Sequence, residues 1–220
     1  LEAARLAIRA MTPVIVLSDA SLATAAEAWR VPAPNELPTV HVSQAPTSAG
    51  RNKLGVRPWI VPGLPGLEHR VTGLEKDEHT GQVSFEPSNH ERMTHLRADK
   101  LAWLAYEIAP LETFGPISGD LLVLGWGSTF GSIRDAVARC QAKGLRVAHA
   151  HLRHLHPFPA NTGDVLKRYR RLLVPELNAG QLSRLLRAEF LVDAASFGKL
   201  QGEPFLVEEI VQQIEKVLSS

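Results

Sequence analysis

The chain has 220 residues, with 24 Lys and Arg against 23 Asp and Glu and a formal charge of +1. That balance argues against a general nucleic-acid binder, which carries a strong basic excess, and a single cysteine, Cys140, excludes an intrachain disulfide and any cysteine-rich metal finger. No apolar run approaches the ~18 residues of a membrane span, and the opening LEAARLAIRA is helix-like and charged rather than a signal peptide, so a cytoplasmic location without membrane contact is expected.

Residues 1–10 read as a helix. They give way to Thr12-Pro13-Val14-Ile15-Val16-Leu17-Ser18, a short continuous apolar run after a proline, which is the pattern of a strand buried on both faces. Such a strand needs a sheet on either side, and the residues that follow offer none. Helix 1–10 and strand 13–18 are therefore expected to close a domain whose bulk lies upstream. A local hairpin onto the following domain is the alternative.

Residues 31–66 hold Pro32, Pro34, Pro38, Pro46, Pro58, Pro62 and Pro65. Proline fixes φ and removes a donor, so this stretch is neither helix nor central strand. It is too long for an ordinary connection and reads as an extended crossing between domains. Residues 67–90 are polar, with Gly73 and Gly81, and suggest an irregular loop or short hairpin.

Ser88 and Glu91 form an S-x-x-E capping box. Met93, Leu96, Leu101, Leu104 and Ile108 follow at mostly helical spacing, so a helix is expected to about Ile108, ended by Pro110. Beyond it strand and helix signals alternate: a buried strand 120–126, a helix 132–143, a strand 145–151, a helix from Asn161 or Thr162 to Arg171, a strand 171–175, a helix 180–189, a strand 190–193, and a helix from Pro204 to Leu218. Alternation of this kind belongs to an open, mostly parallel α/β sheet. The expected divisions are 1–30, 31–91 and 92–220.

Gly125-Trp126-Gly127-Ser128-Thr129-Phe130-Gly131 lies between a strand and a helix, where backbone N–H groups of Gly125, Gly127, Ser128 and Thr129 could hold a phosphate. A dinucleotide fingerprint asks for glycine at position 130, which is Phe, and for an acid about 20 residues on. No Asp or Glu occurs between Ala136 and Gly163. A tight strand-to-helix turn is the plainer reading. His149, His151, His154 and His156 invite a metal reading, but no Cys or carboxylate stands near them in sequence, and a histidine-rich strand end at a ligand edge or interface competes with it. Arg139 to Arg171 carries eight Lys or Arg against one acid, Asp164. It is either a solvated face or a dock for an acidic partner or phosphate. Cys140 falls on the apolar face of its helix and reads as a buried structural thiol. Glu68, His69, Arg70 and Glu75 form a dense polar set in the loop, suited either to contacts with another subunit or to pinning the loop itself.

Four segments, MTPVIVLSDASLATAAEAW (11–29), RPWIVPGLPGLEHRVTGLEKDEHTGQVSFEPSNHERMTHLRADKLAWLA (57–105), LLVLGWGSTFGSIRDAV (121–137) and VPELNAGQLSRLLR (174–187), resemble in order the alpha subunit of 2-oxoacid:ferredoxin oxidoreductases, most closely the 2-oxoglutarate type. The resemblance implies a complex of alpha and beta subunits that uses thiamine diphosphate with Mg2+, a [4Fe-4S] cluster, coenzyme A and ferredoxin to convert a 2-oxoacid to an acyl-CoA, or to run the reverse carboxylation. It implies that residues 1–30 are the tail of a pyrimidine-binding domain, that 31–91 cross between domains, and that 92–220 resemble the transketolase C-terminal domain. The family's Tyr-Pro-Ile-Thr-Pro-type motif is absent from this sequence, and the cluster cysteines belong with the beta subunit. Ala20 stands in Asp19-Ala20-Ser21-Leu22 where the family would have a glycine-like turn. The chain by itself is therefore expected to hold no cofactor and to be structural, with Glu68, His69, Arg70 and Glu75 as contact residues. A free-standing small-molecule or nucleotide-binding module using Gly125–Gly131 is the alternative.

Overall fold

The computed structural model describes residues 1–26, 28–37, 39–40, 42, 52 and 55–219. Pro38 and Pro46 of the proline-rich stretch lie outside them. The chain forms two compact units, one of residues 1–16 with 28–107, the other of residues 17–27 with 108–220.

The first unit is built on two helices, α1 (Glu2–Ala10) and α3 (Pro87–Leu104). Its small core includes Leu6, Ala10, Val56 and Leu104. Polar links do much of the joining. Trp59 Nε1 donates to the Ile8 carbonyl at 3.1 Å, Arg9 pairs with Glu107 at 3.2 Å, and Lys100 Nζ donates to the Met11 carbonyl at 3.2 Å. The α3 helix starts two residues earlier than the capping box suggests. Pro87 takes the first helical position, where its missing N–H costs nothing, so Ser88 lies inside the helix and does not cap it. The helix also ends at Leu104, short of Ile108. The apolar run 13–18 forms no strand, and Ile15 and Val16 are exposed. It finds no sheet among the described residues.

In the second unit, a short helix α2 (Ala20–Thr24) precedes a five-stranded sheet of β1 (Thr113–Phe114), β2 (Gly119–Trp126), β3 (Val147–Leu152), β4 (Tyr169–Glu176) and β5 (Ala194–Gly198). The spatial order is β1-β3-β2-β4-β5, with β1 antiparallel and every other pair parallel. This is the mostly parallel α/β sheet the alternation implied; the two-residue β1 was unforeseen. Helices α4 (Phe130–Ala142) and α7 (Val207–Ser219) cover one face, and α5 (Thr162–Leu166) and α6 (Gln181–Phe190) the other. The central strand β2 is buried on both sides. Leu121 and Val123 pack toward α4 and α7, while Leu122 and Leu124 pack toward α5 and α6, which is why the strand reads as an unbroken apolar run.

Several boundaries move, three of them with a clear cause. The helix α5 stops at Leu166 rather than Arg171, because β4 begins at Tyr169 and pairs with β2 from Gly119↔Tyr169 onward. The residues Phe190-Leu191-Val192, which look like a strand, instead end α6: Leu191 takes the left-handed conformation (φ 53°) that closes the helix, and β5 pairs from Ala194. The last helix starts at Val207, where Glu209 accepts the Leu206 N–H at 2.7 Å and an ion pair from Lys199 at 2.9 Å.

Candidate functional site

In a parallel sheet, ligand crevices form at the carboxyl ends of neighbouring strands whose following helices lie on opposite faces. The strand pair β2 and β4 meets that condition: α4 follows β2 on one face and α6 follows β4 on the other. A cavity of about 310 Å³ lies there, lined by Leu17, Ser18, Asp19 and Leu22 from the segment around α2, by Trp126, Gly127, Ser128 and Thr129 after β2, and by Leu177, Asn178 and Gln181 after β4. The glycine-rich turn singled out in the sequence therefore borders the crevice.

Its geometry is not that of an open phosphate cradle. Gly125 is required by close packing, since a Cβ there would stand 2.5 Å from Ile133 Cδ1 and 2.9 Å from Thr129 Oγ1. Gly127 supplies the left-handed turn (φ 60°). The Thr129 hydroxyl donates to the Trp126 carbonyl at 2.8 Å and takes the Trp126 N–H at 3.3 Å, closing the turn on itself. Across from it stands the half-buried Asp19 carboxylate. The neighbouring Ser128 hydroxyl does most to hold that carboxyl below the usual carboxylate range; burial opposes the shift, and the N–H groups of Leu22, Ser128 and Ser21 add to it. The Ser128 approach is loose: its buried Oγ has no partner at full hydrogen-bond geometry, whereas Asp19 Oδ1 accepts the Leu22 N–H at 3.0 Å. An internal carboxylate thus faces the donors that a phosphate would use.

The α6 side is equally self-contained. Glu176 is fully buried; its Oε2 accepts the Leu182 N–H at 2.8 Å and its Oε1 the Ser183 N–H at 3.0 Å. Asn178 Oδ1 accepts Gly180 N–H at 2.8 Å and Gln181 N–H at 2.9 Å. Neither Asp19 nor Glu176 stood out in the sequence. An acid just before a helix start was the available signal.

His149 and His151 lie on one face of β3, beneath Phe130, whose ring centroid is 5.5 Å from the first and 5.1 Å from the second. Burial pushes the His149 pKa down to about 3 and that of His151 to about 4. The positions His154 and His156 fall past the strand end at Leu152. Among the described residues no three His, Cys, Asp or Glu side chains converge. Cys140 is buried against α7 and β2, and burial raises its thiol pKa. Within the basic stretch, Arg139 pairs with Asp135 and Glu208, Lys143 with Glu215, and Arg170 with Asp120.

The loop set does not converge. Glu75 is ion-paired with Arg97 and in hydrogen-bond contact with the His90 ring, both on α3 and both at 3.0 Å. Glu68 accepts the Gly66 N–H, the His69 ring lies 3.0 Å from the Leu67 carbonyl, and Arg70 is exposed. The residue that fastens this loop most deeply is Asn89, 1% exposed, which accepts from Glu78 N–H and donates to the Lys76 carbonyl, both at 3.2 Å. Its position inside a polar helix face concealed it.

Residues 119–213 match the family described as pyruvate:ferredoxin oxidoreductase core domain II. The chain is 44% identical, over its whole length, to the 2-oxoglutarate oxidoreductase subunit KorA of Mycobacterium tuberculosis, and spans 34% of that protein. It is 26% identical to the 2-oxoglutarate synthase subunit KorA of Methanothermobacter marburgensis, over 92% of this chain and 56% of the relative. The 2-oxoglutarate:ferredoxin oxidoreductase of Magnetococcus marinus, solved with 2-oxoglutarate, coenzyme A and succinyl-CoA bound, superposes with a TM-score of 0.90 at 31% identity, over 97% of this chain and 39% of that one. The chain thus spans about a third of the length of the curated relative first described. No helix among the described residues is long and apolar enough to cross a membrane.

Proposed function

As the chain belongs to the alpha subunits of the 2-oxoacid:ferredoxin oxidoreductases, we propose that it works as part of a 2-oxoglutarate:ferredoxin oxidoreductase, which converts the 2-oxoacid and coenzyme A to an acyl-CoA, CO2 and reduced ferredoxin. The 44% identity along all 220 residues to a subunit named for 2-oxoglutarate carries this reading.

Within that enzyme the chain's part is architectural. A [4Fe-4S] cluster takes cysteine thiolates, commonly about four, and this chain has one, buried in the core. In this proposal the cluster is held with the beta subunit, and thiamine diphosphate with its Mg2+ elsewhere in the enzyme. Coenzyme A and ferredoxin are then ligand and partner of the whole complex.

What the chain offers is surface. In the first unit Val71, Phe85 and Tyr106 are each at least three-quarters exposed, and Trp29 and Val31 equally so. Exposed apolar side chains that gather in one patch mark an interaction surface. Together with the unpaired run 13–18, they support residues 1–30 as the edge of a further domain and 31–91 as a crossing segment laid against it or against the beta subunit, with Glu68, His69 and Arg70 free to contact the partner. The test is an assay of the 220-residue chain with 2-oxoglutarate, coenzyme A, thiamine diphosphate, Mg2+ and an electron acceptor. No acyl-CoA is expected; turnover would overturn the architectural role.

A further inference from the structure

The N–H donors at the crevice between β2 and β4 are largely taken up by the chain's own side chains. The first turn of α6 spends its N–H groups on Glu176 and Asn178, and the turn entering α4 faces Asp19. What remains is a cavity with leucine walls and an indole, Trp126, in which Asp19 is the one charged side chain among the described lining residues. No lysine or arginine is among them. We propose that this cavity binds a small organic cation, an ammonium, guanidinium or amidinium group on a short aromatic or aliphatic body.

Each wall has a part in that recognition. The Asp19 carboxylate supplies the countercharge, and it stays ionised because its neighbours favour the charged form. The Trp126 ring offers a negative face to the cation. Leu17, Leu22 and Leu177 take the apolar body out of water. The Ser18 hydroxyl and the Gln181 carboxamide provide acceptors for the remaining N–H groups. A volume of about 310 Å³ is at the small end of ligand cavities and suits a single ring with its charged group rather than a nucleotide. The inference does not depend on the family reading: the cavity could take a cation in a protein of any activity.

Benzamidinium, benzamide and benzoate are near-isosteric probes of charge +1, 0 and −1. Titrating each into 15N-labelled chain and following the indole N–H resonance that disappears in Trp126→Phe reads the site directly. The expected result is saturable millimolar binding of benzamidinium, binding of benzamide about tenfold weaker, and none of benzoate. Asp19→Asn, which keeps the cap on α2 because Asn also accepts the Leu22 N–H, should bring benzamidinium down to the level of benzamide. Gln181→Lys, at an exposed position, should do the same by placing a resident cation at the rim. Absence of a benzamidinium shift at Trp126, equal response to benzoate or inorganic phosphate, or unchanged binding in Asp19→Asn would each overturn the proposal.

Discussion

Glu176 Oε1 accepts the backbone N–H of Ser183 at 3.0 Å while the carboxylate itself is fully buried at the end of β4. With the Leu182 N–H on its other oxygen, this one side chain satisfies two otherwise orphaned donors of α6 and ties that helix to the sheet. Glu176→Ala leaves both donors buried and unpaired, so a loss of roughly 2–4 kcal/mol is expected in urea unfolding, with a lower midpoint and little change in slope. Glu176→Gln keeps one acceptor and should lose less. Equal stability of Glu176→Ala and the parent chain would show that the cap contributes nothing.

Gly125 and Gly131 flank the same turn but answer to different constraints. A methyl at 125 meets Ile133, Thr129 and His151, whereas one at 131 meets nothing within 4 Å. Gly125→Ala is expected to cost about 1–3 kcal/mol by overpacking. Gly131→Ala, inside α4, should be neutral or stabilising by up to about 1 kcal/mol. Thermal unfolding of the pair checks the contrast, which disappears if the glycines serve only a flexible loop.

His149 and His151 fold as neutral imidazoles. The unfolded chain takes up protons through the ordinary histidine range near 6.5, while the folded rings resist to about 3 and about 4. Their contribution to stability is therefore complete above pH 6.5 and is lost as the pH falls toward the folded values. At about 1.4 kcal/mol per unit, acidification to about pH 4 should remove on the order of 3 kcal/mol per histidine from the second unit. His149→Leu should flatten that acid limb in a pH series of denaturant midpoints. An unchanged limb would place the titrating groups elsewhere.

Glu75 and Arg70 separate the two roles offered for the loop. Glu75 holds Arg97 and His90, so Glu75→Ala should loosen residues 67–86 and speed their proteolysis. Arg70→Ala should leave protease resistance unchanged and weaken binding to the partner subunit. If Arg70→Ala leaves assembly untouched, Arg70 is solvent-facing decoration and not a contact.

The sheet was legible because β2 is buried on both faces and writes an unbroken apolar run, as Leu172-Leu173-Val174 does in β4, whereas β3 is interrupted by His149 and His151 and the two-residue β1 writes no pattern. The β5 misplacement has a physical cause: Phe190 and Val192 pack against the core from a helix end and a turn, giving an apolar signal without a strand. The turn at Gly125–Thr129 was visible as a sequence motif, but its closure was not. Asp19 reaches it from a segment far away in the chain, and no local spacing encodes such a meeting. Ser88 failed as a cap because Pro87 held the stronger claim to the helix start.

The most direct measurement is purification of the gene product that carries this chain, followed by assay of coenzyme A-dependent acceptor reduction with 2-oxoglutarate. The expected result is co-purification with a second, iron-bearing polypeptide and formation of succinyl-CoA, with neither seen for the 220-residue chain alone. A product that purifies without a partner and gives no turnover, or an isolated chain that turns over, would contradict the assignment of this chain as the architectural part of an alpha subunit.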